Sequence, residues 1–248
     1  MDATQKNRTL AGRTAIVTGG ARGYGEGIAG ALRERGATVW ITGRDEKALK
    51  KVATDLDLRW IKADVTVPGD WDRLFQSVQE ASGSVDILVN NAGGGVRIAP
   101  LTEMSDDEIM DSIQLNLVGA AFGCRRAAKV MKKQGNGIIV NISSVCQRQA
   151  WPGWAPYSAA KAGLAQLSNC LFTELREHGV RVTTVIPSWG ATEFLDAAGL
   201  EARSAEDNAK CIQPGDLGEL VAHVCELPPH LVTQDVTLWP MIQQVEPL

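Results

Sequence analysis

The chain has 248 residues, 44% hydrophobic and 22% charged, the balance of a folded domain with a substantial core rather than of a disordered chain. Its 25 Lys and Arg against 29 Asp and Glu leave a net charge of −4, which argues against a dedicated nucleic-acid binder. No apolar stretch approaches the roughly 18 residues that a membrane-spanning helix needs.

Residues 1–10 read as a polar tail with no apolar signal segment. Short β-branched runs then alternate with longer stretches of helical spacing. Strands are expected at Arg13–Thr18, Thr38–Thr42, Leu58–Ala63, Asp86–Asn90, Gly137–Ile142, Arg181–Ile186 and Val232–Trp239. Helices are expected after the first strand and at Asp45–Asp55, Trp71–Ser82, Asp106–Gln134, Pro156–Glu177 and Pro214–Leu227. In the third of these spans Ile109, Ile113, Asn116, Leu117 and Ala120 share one face. Strands apolar on both faces imply a parallel sheet covered on both sides. The chain therefore reads as an α/β, doubly wound, Rossmann-like domain of about seven strands, with no linker or repeat dividing residues 1–248.

Five cysteines, an odd number with no CxxC spacing, argue against a disulfide framework and for a reducing, cytoplasmic setting. Three histidines lack any paired spacing, so no metal site is expected.

The first strand runs into Thr18-Gly19-Gly20-Ala21-Arg22-Gly23-Tyr24-Gly25 and then a helix. Glycines there permit a tight turn and let backbone N–H groups approach a phosphate at the helix N-terminus. Gly19, Gly23 and Gly25 are the candidate positions. At the end of the second strand Gly43 stands where a ribose-binding acid would favour NAD, and Arg44 follows it. Arg22 and Arg44 together suit a 2′-phosphate, which favours NADP over NAD. Asp45 reads as a helix N-cap.

Tyr157 and Lys161 lie four apart on a helix and so share a face. An ammonium beside a phenol favours the phenolate and brings it toward base strength at neutral pH. Ser144 lies thirteen residues before Tyr157 at the end of the fifth strand, and alternation turns Ser143 the other way.

These segments resemble the short-chain dehydrogenase/reductase family in its single-domain branch. The shared motifs are T-G-x-x-x-G-x-G, the Asp64-Val65 pair, Asn90-Asn91-Ala92-Gly93, Asn116, Ser144 and Tyr157-x-x-x-Lys161, spread over about residues 10–240. The resemblance implies hydride transfer between NADP(H) and a carbonyl or secondary alcohol. Tyr157 would be the acid/base, Ser144 would bind the reacting oxygen, and Lys161 would bind ribose and tune Tyr157. Asn116 would anchor a water relay. Asp64 and Val65 would contact adenine, Asn90, Ala92 and Gly93 would line the coenzyme, and Thr192 would reach the nicotinamide carboxamide. It also implies a homodimer or homotetramer, through 106–134 and 156–177, and a small-molecule substrate.

The sequence departs from the family pattern in two places. Tyr24 stands where Ile is common, which should alter packing beside the coenzyme without removing the loop. Ser188 replaces the glycine after Pro187, and the usual C-terminal V-D-G-G is absent. Residues of about 190–212 would form a substrate lid, too short and charged for a deep steroid or acyl-chain pocket. Trp151, Trp154 and Trp189 are candidate substrate residues, able to stack on a ring or sugar face. Arg97 and Arg148 read as surface charges. Cys146 could line the pocket, with no partner that makes it a nucleophile. The competing classes are an extended-family epimerase or dehydratase, disfavoured by the glycine spacing, and a non-catalytic dinucleotide-binding sensor or scaffold, disfavoured by the retained Tyr157 and Lys161.

Overall fold

The computed structural model describes residues 9–94 and 97–244. Most of the polar tail, residues 1–8, lies outside them. Seven strands form one parallel sheet: β1 (Thr14–Thr18), β2 (Thr38–Gly43), β3 (Arg59–Lys62), β4 (Ile87–Asn90), β5 (Gly137–Ile142), β6 (Val180–Pro187) and β7 (Asp235–Leu238). Their order is β3-β2-β1-β4-β5-β6-β7, so the order reverses between β1 and β4. The register pairs Ile16 with Leu88 and Asn90 with Asn141.

Alternation along each strand sorts the core into two layers. Ala15 and Val17 of β1 face one layer and Ile16 faces the other. The first layer is covered by α1 (Gly23–Glu34), α2 (Glu46–Asp55) and α9 (Pro214–Glu226). The second is covered by α3 (Pro68–Ser82), α5 (Gly119–Gln134) and α6 (Ala155–Leu175). Burial on both faces explains why the central strands read as unbroken apolar runs.

The expected helix over 106–134 is divided. α4 (Asp106–Ile113) passes through a π-helical segment, Gln114–Val118, into α5. Gly119 N–H bonds to Gln114 O, one residue further back than in an α-helix. Asn116 sits inside this segment and donates from Nδ2 to Ser112 O at 3.0 Å. α3 begins at Pro68 rather than Trp71, because a proline suits the first helical position, where no N–H bond is needed. Asp45 caps α2 as expected, accepting from Lys47 and Ala48 N–H at 3.0 and 3.1 Å.

α1 and α9 meet backbone to backbone. A Cβ on Gly27 would stand 2.1 Å from Pro214 O, and one on Gly218 2.3 Å from Gly27 O. That contact brings the start of α9, and the chain leading into it, against the helix that carries the glycine loop. The chain from 190 to 212 leaves and returns through one bridge, Gly190 to Ile212. It holds two short helices, α7 (Phe194–Ala197) and α8 (Ala205–Ala209). No helix among the described residues is long and apolar enough to cross a membrane.

Candidate active site

The carboxyl ends of β1 and β4 diverge at the strand-order reversal, where ligands bind in open α/β sheets. Thr18 and Asn91 stitch the two loops together there. Thr18 Oγ1 accepts from Asn91 and Ala92 N–H, both at 3.0 Å. Asn91 Nδ2 donates to Thr18 O at 2.9 Å. Gly19 and Gly23 have φ of +64° and +51°, which glycine alone adopts readily. A Cβ on Gly25 would stand 2.1 Å from Gly19 O, so the third glycine lets α1 start directly beneath the turn.

A cavity of about 680 Å³ opens over this loop. At one end stand Arg22, Arg44, Asp64 and Val65. Both arginines are exposed, and neither has a carboxylate partner among the described residues. Asp64 Oδ1 is bonded to Thr66 N–H and Oγ1 at 2.9 and 2.7 Å, which shapes the turn after β3. The middle is walled by Gly19, Gly23, Tyr24, Ala92, Gly93 and Thr192. At the other end are Ser144, Tyr157 and Lys161 with Trp151, Trp154 and Trp189.

Three expected residues lie elsewhere. Gly25 is buried beneath the loop. The Asn90 side chain turns into the core, where Nδ2 donates to Asn141 Oδ1 at 2.8 Å, and Asn141 in turn reaches Ser168 Oγ. In the β4–β5 register the Asn90 side chain faces Asn141, away from the cavity, so any contact of Asn90 with a coenzyme would be through its backbone. Asn116 lies behind Gly93 and Gly94 and accepts Gly94 N–H through Oδ1 at 2.7 Å. With Nδ2 committed to Ser112 O, its side chain holds the Gly93–Gly94 turn.

Lys161 is buried, and Nζ donates to Ile142 O at 2.9 Å. Its Nζ lies 5.6 Å from the centre of the Tyr157 ring. Burial pulls the Lys161 ammonium down to about 8. Burial pushes the Tyr157 phenol up, Cys146 adds to this, and only the Ser144 hydroxyl opposes it. Burial therefore dominates at Tyr157, and the lowering expected from Lys161 does not offset it. Ser144 Oγ accepts Cys146 N–H at 3.2 Å, while Ser143 Oγ donates to Lys161 O, consistent with the opposite orientations expected from alternation. Burial also pushes the Cys146 thiol up, against a nucleophilic role.

Several contributors were not expected from sequence. Phe194 stacks on Trp154 with centroids 5.9 Å apart and meets the Tyr157 ring edge-on at 5.6 Å. It presses against Gly94, where a Cβ would be 2.7 Å from its ring. Gln243, near the C-terminus, is buried and accepts from Ser188 Oγ and, at 3.3 Å, from Trp189 N–H. The hydroxyl at the position usually held by glycine thus has a partner. Tyr24 Oη occupies the space of a Cβ on Gly190 and has no hydrogen-bond partner among the described residues. Arg203 lines the same end of the cavity. By contrast, Arg97 and Arg148 are paired with Glu108 and Asp235 at 3.5 and 2.9 Å. Among the described residues no group of three or more His, Cys, Asp or Glu could share a metal ion.

The sequence matches the short chain dehydrogenase family model over residues 13–202. An uncharacterized oxidoreductase of Staphylococcus aureus (strain USA300) is 31% identical over 235 residues, covering 94% of this chain and 99% of that protein. The closed form of a serine dehydrogenase complexed with NADP+ is 28% identical, with a TM-score of 0.87, covering 95% of this chain and 98% of that one. A 3-ketoacyl-(acyl-carrier-protein) reductase from Brucella melitensis complexed with NADH is 26% identical, also with a TM-score of 0.87, covering 94% and 98%. By sequence motif, fold and these matches, the chain belongs to the short chain dehydrogenase family of oxidoreductases.

Proposed function

We propose that the protein is an NADP(H)-dependent oxidoreductase that moves a hydride between nicotinamide and a carbonyl or secondary-alcohol carbon, with Tyr157 as the general acid and base. The observation that carries this reading is one cavity with the glycine loop along its wall and the buried Tyr157, Ser144 and Lys161 at its end. The coenzyme, when bound, supplies or accepts the hydride.

The chain's own residues do the rest. The α1 N-terminus and the N–H groups around Gly23 hold the pyrophosphate. The tight spaces at Gly19 and Gly25 support the fit, because a side chain at either would collide with the loop itself and push it out of this shape. Arg22 and Arg44 take the 2′-phosphate, Asp64 and Val65 take adenine, and Ala92 and Gly93 permit close approach. Thr192 holds the carboxamide. In reduction, Tyr157 gives its proton to the carbonyl oxygen while Ser144 hydrogen-bonds the same atom. A phenol kept protonated by burial is ready for that donation. Lys161 offers a buried ammonium to the nicotinamide ribose, and Asn116 positions the Gly93–Gly94 turn. The NADP+ and NADH in the two solved relatives support a nicotinamide dinucleotide; the two unpaired arginines favour NADP. We place the enzyme in the cytoplasm as a homodimer or homotetramer built through 106–134 and 156–177, with the 190–212 excursion as its substrate lid.

Tyr157→Phe is expected to cut kcat by at least about a hundredfold while coenzyme affinity stays near that of the parent, as loss of a positioned general acid should. Stopped assays with a carbonyl panel and a coenzyme titration check this, and near-parental turnover contradicts the role. The parent should give a higher kcat/KM with NADPH than with NADH. Arg22→Gln and Arg44→Gln should each raise the KM for NADPH roughly tenfold, the loss of a charge-assisted hydrogen bond, with the NADH value unchanged.

Lys161 also predicts a pH-dependent stability. Below about 8 the folded state carries a buried ammonium at a cost. Between about 8 and the ordinary 10.5 the folded chain sheds that proton while the unfolded chain keeps it, so stability rises with pH. Lys161→Met should therefore raise the urea midpoint at pH 7, and the gain should shrink above about 8. A lower midpoint at pH 7, or a gain that does not change with pH, contradicts this.

A further inference from the structure

We infer that the substrate carries an anionic group, a carboxylate, and that Arg203 lying over Trp189 recognises it. This rests on the carbonyl-reducing reading above and names the substrate class for that site.

Arg203 lines the cavity beside Tyr24 and Trp189 and is partly shielded from solvent. Its guanidinium sits 4.6 Å from the centre of the Trp189 ring. Its one protein hydrogen bond among the described residues is a long one, from Nη1 to Gly190 O at 3.4 Å. No carboxylate among the described residues stands within salt-bridge distance of it. A guanidinium has five N–H donors, so most of this fork is unused by the fold.

The surroundings hold that fork in place. The backbone at Trp189 is held by Gln243, whose Oε1 accepts the Trp189 backbone N–H, and the chain at Gly190 is clamped by the bridge to Ile212. Tyr24 fills the space beside Gly190, so the carbonyl that Arg203 touches cannot retreat in that direction. The cation is thereby preorganised on an aromatic face, an arrangement that suits a planar carboxylate.

The acids that line the cavity leave this end open. Asp45 caps α2 and Asp64 bonds to Thr66, both near β2 and β3. Glu193 turns toward the glycine loop, with Oε2 3.5 Å from where a Cβ on Gly23 would stand. The other charged candidates, Arg97 and Arg148, are already neutralised by Glu108 and Asp235. The same guanidinium chemistry could instead serve a coenzyme phosphate, and the test separates the two.

The test compares matched pairs, acetoacetate with methyl acetoacetate and benzoylformate with methyl benzoylformate, on the parent, Arg203→Gln and Arg203→Lys. The parent should prefer at least one acid over its ester. Arg203→Gln should lower the acid-to-ester ratio of kcat/KM by at least about tenfold, through KM, with Arg203→Lys restoring part of it. The KM for NADPH should not move. Equal losses for acid and ester, or a loss confined to NADPH, overturn the proposal; the second outcome reassigns Arg203 to the coenzyme.

Calorimetric titration with benzoate and benzamide, at saturating NADP+, reads the anion site without turnover. Tighter benzoate binding that vanishes in Arg203→Gln supports it. Equal binding of the two probes, or benzoate binding unchanged in Arg203→Gln, overturns it. Absence of turnover in every pair alongside selective benzoate binding contradicts the reaction, not the anion site.

Discussion

Because all seven strands run parallel, every loop that follows a carboxyl end emerges on one edge of the sheet, and the order reversal between β1 and β4 pulls two of those loops apart. The rest of the site depends on that gap. Thr18 and Asn91 hold the two loops at a fixed separation through bonds to each other's backbone. Above this stitch the glycine loop can turn without side chains, and α1 can point its N-terminus into the opening. The loops after β5 and β6 close the other end, carrying Ser144 and Trp189 to the same cavity. The chemistry comes from positions far apart in sequence that the sheet delivers to one edge.

The site has a cost that the fold must carry. Lys161 is a nearly inaccessible ammonium whose only hydrogen-bonded protein partner among the described residues is a backbone carbonyl, Ile142 O. Tyr157 is a buried phenol between Trp154, Phe194 and Cys146. Both groups are pushed toward their neutral forms by the same dry surroundings. The buried ammonium is a cost to folding, and perturbed groups gathered in one cleft are the mark of a functional site. The interactions that do stabilise this region are elsewhere: the Asn90–Asn141–Ser168 chain beneath the sheet edge, and Asn116 spanning the π-helical segment to Gly94.

Much of this was legible in the sequence because it rests on local chemistry. The strand runs, the Asp45 cap and the glycine loop each follow from residue preferences over a few positions. That Tyr157 and Lys161 share a helix face follows from the helical repeat, and the opposite orientations of Ser143 and Ser144 from strand alternation; their roles came only from the family resemblance. What was not legible depends on contacts between distant segments. Asn90 and Asn91 are adjacent and chemically alike, and only the β4–β5 register assigns the first to the core and the second to the loop stitch. The widened turn at Asn116 preserves the helical apolar pattern, so periodicity gives no sign of it. Gln243 and Arg203 carry no motif, and their roles appear only once the C-terminal segment and the 190–212 excursion fold back over Trp189. Residues 95, 96 and 245–248 lie outside the described structure.

We propose that this chain moves a hydride from nicotinamide to a carbonyl carbon. The most direct measurement is mass spectrometry of the alcohol formed from an accepted carbonyl compound with NADPH deuterated stereospecifically at nicotinamide C4, run once with each C4 epimer. One epimer should deliver its deuterium to the former carbonyl carbon and the other should deliver hydrogen. Alcohol formed without deuterium from either epimer, or coenzyme bound tightly with no alcohol formed from any carbonyl class, would contradict it.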